Sequence, residues 1–456
     1  MNKMRYSLGL STAALTWALS GAWVAASAQT ATPPAQPAEA AQPAQGPMGV
    51  YDSIVSFGQS LAQKGVFLSL DLHENVGALL AGGVKTGVAP VDQISGAAVF
   101  DLQTILGIQG ASFHIGFDQR GGAGQPQGLG GPGGIAGTSA LLQYDAESLR
   151  IGLSDFYWEQ GFDNDRLDII AGRTQPTTDF MFNDLSCAFV SSIMCAQPGT
   201  FYLSQNSSPY GYAQWGGRVN FQITPQVYIR AGMYNENPSQ TGFNYSGLNW
   251  NTENSVGVFA PIQIGYKTTF ANATYPSNYY IGMYNDSSSY TKPNGQIAYG
   301  RQGYWAWAEQ TLWRPNRDTK QSLTAFASVL VYGQGTPFWG QYTAGLWDRA
   351  PFGAVRPDDA IGVMASLYKH NESQAASEGY ATARSDQWAL EADYSATVVP
   401  GIIVEPYVQY VINPDNPISQ PNYSSGSFTL KNDFIVGVQF IVELGKVFQF
   451  PQFDAH

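Results

Sequence analysis

Arg218 and Arg230 flank the dipeptide Thr224-Pro225, each inside a run where polar and apolar residues alternate. From Tyr212 to Ile223 one set is Tyr212, Gln214, Arg218, Asn220 and Gln222, and the other Ala213, Trp215, Val219 and Phe221. From Gln226 to Asn235, Gln226, Tyr228, Arg230 and Tyr234 oppose Val227, Ile229, Ala231 and Met233. Further on, Glu391 and Asp393 oppose Trp388, Leu390, Ala392 and Tyr394, while Glu405, Tyr407 and Gln409 oppose Val404, Val408 and Tyr410. Successive side chains of an extended chain point to opposite faces, so each run has one wet face and one apolar face. A wall of Arg, Asn and Gln donors, carboxylate acceptors and Tyr rings suits neutral hydroxyls and the apolar face of a sugar ring. A wall built for anions would carry an excess of Arg and Lys, whereas this chain has 22 Lys+Arg against 34 Asp+Glu. The short turn makes the two arginine-bearing strands antiparallel partners, with Glu159, Glu391 and Glu405 as candidate acidic partners facing them from other strands.

Catalytic chemistry finds little support. His73, His114, His370 and His456 are the only histidines, and none lies in a GxSxG or HExxH setting. A Ser-His arrangement assembled in space stays open, because triads are spatial. The run GGAGQPQGLGGPGG at 121–134 lacks the Lys-Ser/Thr of a phosphate cradle and reads as a loop. Cys187 and Cys195 lie eight apart with no histidine nearby, so a disulfide is expected and no metal or cofactor. Closing so short a loop contributes roughly 2–3 kcal/mol.

The elements that must position these residues begin with an export signal. Lys3 and Arg5 precede an apolar stretch from Leu8 to Leu19, and Ala26-Ser27-Ala28 is a small-residue cleavage site, so 1–28 reads as a signal peptide cut before Gln29. An uncleaved anchor is the rival, but Ser11, Thr12 and Ser20 interrupt the run. Loss of Lys3 and Arg5 takes the formal charge from -12 to -14, which argues against nucleic acid as a partner. Residues 29–48 are almost wholly Ala, Pro and Gln and form a linker. Val50, Ile54, Phe57 and Leu61 then recur at helical spacing, predicting a short amphipathic helix over 49–64 that packs against the barrel or plugs it.

From Val66 onward the period is two. Clear segments are Val66 to Leu72, Ala111 to Gln119, Arg150 to Gln160, Arg166 to Gly172, Tyr212 to Ile223, Gln226 to Asn235 and Gly257 to Phe270. Tyr279 to Asn285, Tyr304 to Trp313, Leu323 to Tyr332, Ala360 to Lys369, Trp388 to Thr397, Ile402 to Ile412 and Phe434 to Leu444 follow. Ala97 to Leu106, Thr138 to Tyr144 and Trp339 to Trp347 alternate more weakly. Short links at 162–165, 224–225, 314–318 and 399–401 face long loops at 121–137, 175–209, 236–255, 287–302 and 413–427. Short turns on one side and long loops on the other is the plan of an outer-membrane barrel. The low charge (12%), high aromatic content (13%) and absence of an apolar run long enough for a membrane helix agree with it. The 456 residues less the first 28 leave 428; at roughly 25 per strand with its connection this predicts sixteen strands, with eighteen as the alternative. The predicted fold is therefore all-β, an antiparallel transmembrane barrel over 65–445 followed by a tail at 446–456, wide enough for an aqueous lumen.

The segment FYWEQGFDNDRLDIIAGRTQPTTDF at Phe156 to Phe180 resembles the carbohydrate-selective porins of the OprB type. YIRAGMYNENP at Tyr228 to Pro238 and EPYVQYVINPD at Glu405 to Asp415 are similar to the same family, in the same order. The resemblance spans roughly Val66 to Leu444 and implies a sixteen-stranded outer-membrane barrel, in contact with lipid, that passes glucose and related sugars. It marks Glu159, Arg166, Arg173 and Asp179 as signature positions, either lining the lumen or forming the fold. Such barrels commonly finish on an aromatic residue, whereas this sequence runs on to His456, so Gly437, Phe440 and Val442 are expected to supply the closing-strand signal internally. The loop at 175–209 is predicted to be extracellular and free to fold toward the lumen. A general diffusion porin is the alternative, with an outer-membrane hydrolase or adhesin behind it, and a homo-oligomer stays open.

Overall fold

A computed structural model describes residues 49–122, 128–130, 134–140, 142–143, 149–195, 211–240, 245–377, 386–415 and 430–453. The expected signal peptide and linker lie outside these residues, as does most of 413–427. Alternating side chains leave every strand with an apolar face that only lipid or a second layer can cover. Backbone groups at membrane depth must also pair within the protein. Both demands are met by closure. Among the described residues sixteen antiparallel strands form one closed barrel, each paired with its sequence neighbours. They are β1 Val66–Ala81, β2 Gly87–Asp101, β3 Ala111–Gly121, β4 Leu149–Phe162, β5 Leu167–Thr174 and β6 Gln214–Gln222. β7 Val227–Glu236, β8 Gly257–Lys267, β9 Ser277–Thr291, β10 Ile297–Trp313 and β11 Ser322–Tyr332 come next. β12 Phe338–Arg349, β13 Ala360–His370, β14 Asp386–Val399, β15 Ile402–Ile412 and β16 Asp433–Glu443 complete the wall. The last strand returns to the first, from Asp71 opposite Glu443 to Ala81 opposite Phe434, so no edge remains.

The faces sort by parity. Trp158, Val219, Phe221, Met233, Ile281 and Trp388 are exposed on the outside. Asn75, Gln93, Gln263, Gln341 and Gln439 are buried on the inside. Three stretches depart from the sequence reading. Thr138 to Tyr144 is no strand; its described residues belong to a loop packed inside the barrel. The expected loop at 287–302 is mostly a long hairpin of β9 and β10 joined by 292–296, with the register shifted around Tyr299 and Arg301. Its Ser, Asn and Gly content suits a ladder that continues beyond the lipid, where neither face need be apolar. Ala97 to Leu106 divides into the end of β2 and helix α2 Leu102–Leu106, because Asp101 accepts the N–H groups of Gln103 (2.9 Å) and Thr104 (3.2 Å) as an N-cap.

Helix α1 Val50–Ala62 lies against the outer wall rather than in the lumen. Its Ile54 shares an apolar crevice with outward-facing Leu68 and Leu70 and with Phe448 and Phe450. Gly58 is required there, since a Cβ would stand 2.3 Å from the Phe450 ring. Short helices α3 Pro176–Asp179, α4 Glu372–Ser377 and α5 Leu444–Val447 sit in connections or after β16.

Candidate selectivity site

The loop after β5 carries Phe180, Met181, Leu185, Phe189, Val190 and Ile193, apolar residues that a loop lying out in solvent would expose to water. They are buried inside the barrel instead. Phe189 meets Phe326 and Trp347 at ring distances of 5.7 and 5.4 Å, and Phe180 meets Trp305 at 6.5 Å. The Cys187–Cys195 disulfide closes the innermost stretch into a ring. Wall side chains satisfy its backbone: Glu391 Oε1 accepts from Val190 N (2.8 Å) and Ser191 N (3.2 Å), and Gln341 Nε2 donates to Ile193 O (3.2 Å). A second infolded loop, after β3, is held by Gln143, whose amide donates to Asn75 (2.8 Å) and to Ala89 O (3.0 Å). Thr138 donates to Gln387 (2.6 Å) and Ser139 N to Asp415 (2.7 Å). Gln409 links the two loops, donating to Leu142 O (2.8 Å) and to Glu391 Oε2 (3.1 Å).

Where the first loop leaves the wall, four adjacent strands and α3 bring charge together. Arg218 on β6 binds three carboxylates from three different elements: Asp168 of β5 in a short contact, Asp179 of α3 at 3.5 Å and Glu159 of β4 at 3.6 Å. Arg230 on β7 donates to Asn220 Oδ1 (3.2 Å) and to the carbonyl of Asp179. Asp179 also accepts from Tyr234 OH (2.7 Å) and Thr174 Oγ1 (3.1 Å). Burial pushes the Asp179 carboxyl above the usual range, while Arg218, the Tyr234 hydroxyl and Arg230 pull it back. Arg218 stands opposite Gly232 and Arg230 opposite Asn220, so the two arginines are diagonal neighbours and not level with each other. At Gly232 a Cβ would come within 2.9 Å of the Phe180 ring, so glycine lets the loop seat beside them.

The structure thus assembles Glu159, Asp179, Arg218 and Arg230 on one side of the lumen. Asp168 belongs with them: it alternates in phase with Ile170 and Gly172, a signal present in the sequence, and so shares the inner face of β5. Glu391, Glu405 and Gln409 point inward yet are 4%, 4% and 1% exposed. They are not open lumen wall. Glu391 and Gln409 are consumed by loop contacts, and Glu405 accepts from Gln439 (3.3 Å). Neither Glu391 nor Glu405 pairs with the arginines. Arg166 sits in the turn between β4 and β5, half exposed, with its guanidinium 5.3 Å from the outward Phe221 ring. Arg173 falls on the outer face because Asp168, Ile170 and Gly172 take the inner one. There it donates to Gly247 O (2.9 Å), Asn249 O (2.7 Å) and Ala213 O (2.8 Å), between the rings of Trp215 and Trp250, and clamps the loop after β7.

Two groupings resemble catalytic triads in composition only. His114 Nε2 contacts both Ser112 Oγ (2.8 Å) and Glu159 Oε2 (3.0 Å), so one nitrogen serves both partners and no relay through the ring exists. Ser139 and His370 both bind Asp415, again without a serine–histidine contact.

Residues 85–444 match the family described as carbohydrate-selective porin, OprB family. Porin B of Pseudomonas aeruginosa is 23% identical over 389 residues, covering 78% of this chain and 84% of that protein. A putative porin, QuiX, of Acinetobacter baylyi is 25% identical over 291 residues, covering 58% and 64%. The high-pH structure of Pseudomonas putida OprB superposes with a TM-score of 0.73 at 21% identity, covering 84% of this chain and 96% of that one, which shows a shared fold. With that match over most of its length and its closed sixteen-stranded barrel, the chain belongs to the carbohydrate-selective porins of the OprB family, channels of the outer membrane.

Proposed function

We propose that glucose and closely related pyranoses are the preferred solutes, selected where they pass Arg218, Arg230 and the carboxylates of Glu159, Asp168 and Asp179. The observation that carries this reading is the sharing of one guanidinium among carboxylates from three elements. Two guanidiniums interleaved with three carboxylates leave little net charge to draw either ion, and they offer donors and acceptors within a few ångströms of each other. A sugar meets such a wall with hydroxyls that both give and accept; a zwitterionic amino acid of equal size must shed more water. Residues 1–28 act as the export signal, cut before Gln29. Liposome swelling with purified protein tests the preference. Glucose should enter faster than amino acids of similar size and much faster than larger sugars. Rates that follow molecular size alone would establish a general diffusion pore instead.

A further inference from the structure

After β16 the chain does not leave the barrel. Helix α5 turns it, Phe450 N donates to Gly445 O (2.7 Å), and the Tyr51 hydroxyl of α1 donates to Val447 O (3.1 Å). Phe448 and Phe450 settle against α1 on the outside. Three residues later the course has crossed the rim: Phe453 lies 5.3 Å from the ring of Phe67 and 6.2 Å, edge to face, from His114, both on the inner wall. His114 is itself stacked on inward-facing Tyr157 at 4.5 Å.

Phe453 also lines a cavity of about 210 Å³ with Glu159, Asp168, Asn220 and Ser112, at the end of the barrel that carries the short turns. We infer that this cavity extends the charged cluster into a pyranose subsite at the periplasmic mouth, sharing Glu159 and Asp168 with it, with Phe453 as the ring against which the sugar's apolar face rests. The carboxylates of Glu159 and Asp168 accept from hydroxyls, and the Asn220 amide supplies a donor. One aromatic face beside a few converging polar groups is the chemistry that recognises a pyranose and not an ion. The ring is anchored from outside, through Phe448, Phe450 and α1, so the segment that closes the barrel also furnishes the site. This inference rests on the proposed preference for sugars.

The test is current block by glucose in planar bilayers, using the full chain and adding sugar on the short-turn side alone. F453A should weaken the apparent affinity roughly threefold to tenfold, the worth of one aromatic contact. F453W should restore it, and ion selectivity should stay as in the parent. An unchanged affinity in F453A overturns the inference, as does a rise in conductance with no change in affinity, which would make the segment a mere obstruction. Equal weakening by F453A and F453W overturns it too, because a ring of either size should serve. If the parent channel shows neither glucose block nor sugar preference in liposomes, the proposed function itself fails; if it shows both and F453A matches it, only the subsite fails.

Discussion

Replacing Arg218 by Gln removes the positive charge on which three carboxylates converge. The guanidinium is only 11% exposed, and treating an ion in an aqueous lumen beside it as sitting at a wet site gives the smallest effect its charge can have. At about 5 Å and an effective dielectric near 80, one unit charge is worth about 0.8 kcal/mol. The sign is opposite for cations and anions, so their permeability ratio moves by about 1.6 kcal/mol, or roughly fifteenfold toward cations. Protonation of one freed carboxylate and screening over about 10 Å at 0.1 M salt trim this to about fivefold. The same change costs about 2 kcal/mol of stability, since a largely buried pair is broken but its partners keep some water. Reversal potentials in a salt gradient measure the ratio, and the mobility shift of the heated barrel on a gel verifies folding. R218Q with D168N restores the charge balance and should return the reversal potential most of the way, a coupling that independent sites would lack. A folded R218Q channel whose reversal potential matches the parent's would refute the placement of Arg218 beside the permeation path.

Glu391→Ala takes the acceptor from the N–H groups of Val190 and Ser191 and from Gln409. Each stranded group costs about 1–3 kcal/mol, so the disulfide-closed ring should loosen, raising single-channel conductance and admitting a trisaccharide; an unchanged size limit would contradict the bracing role. Asp359, in the connection between β12 and β13, would be raised by burial alone. Hydrogen bonds from Arg356 (2.8 Å), the Tyr394 hydroxyl and Thr397 N (3.1 Å) outweigh this and hold its carboxyl below the usual range. A depressed carboxylate contributes stability above its unfolded pKa near 4 and loses it as pH falls through the folded value. Asp359→Asn should therefore lower the melting temperature at pH 7 and lose less than the parent between pH 5 and 3; equal acid sensitivity in both would remove Asp359 from the account.

Strand identity and facing were legible because a period of two is a local property. Whether Arg218, Glu391 or Gln409 points inward depends only on its neighbours along the chain, and lipid on one side with water on the other makes the pattern uniform around the wall. The strand number followed instead from chain length and the even counts of such barrels, and the short links from their turn residues. Weak alternation misled where solvent lay on both sides, as in the hairpin of β9 and β10, or where a loop borrowed its burial from the wall, as at 138–144.

What parity could not supply was distance across the lumen. Glu391 meets Val190 two hundred positions away, and only the entry of that loop turns an inward carboxylate from solute wall into loop brace. Arg173 looked like a member of the charged set, yet strand parity put it outside, where a later loop folded over it. Asp168, Asp179 and Glu159 share Arg218 because β4, β5 and β6 are adjacent and α3 folds back on them, a convergence set by register and loop path. The aromatic ring of Phe453 reaches the mouth through contacts with α1, an element nearly four hundred residues earlier. Alternation along one strand determines which face a side chain takes; barrel closure and loop packing, which depend on residues far apart in sequence, decide what it meets there.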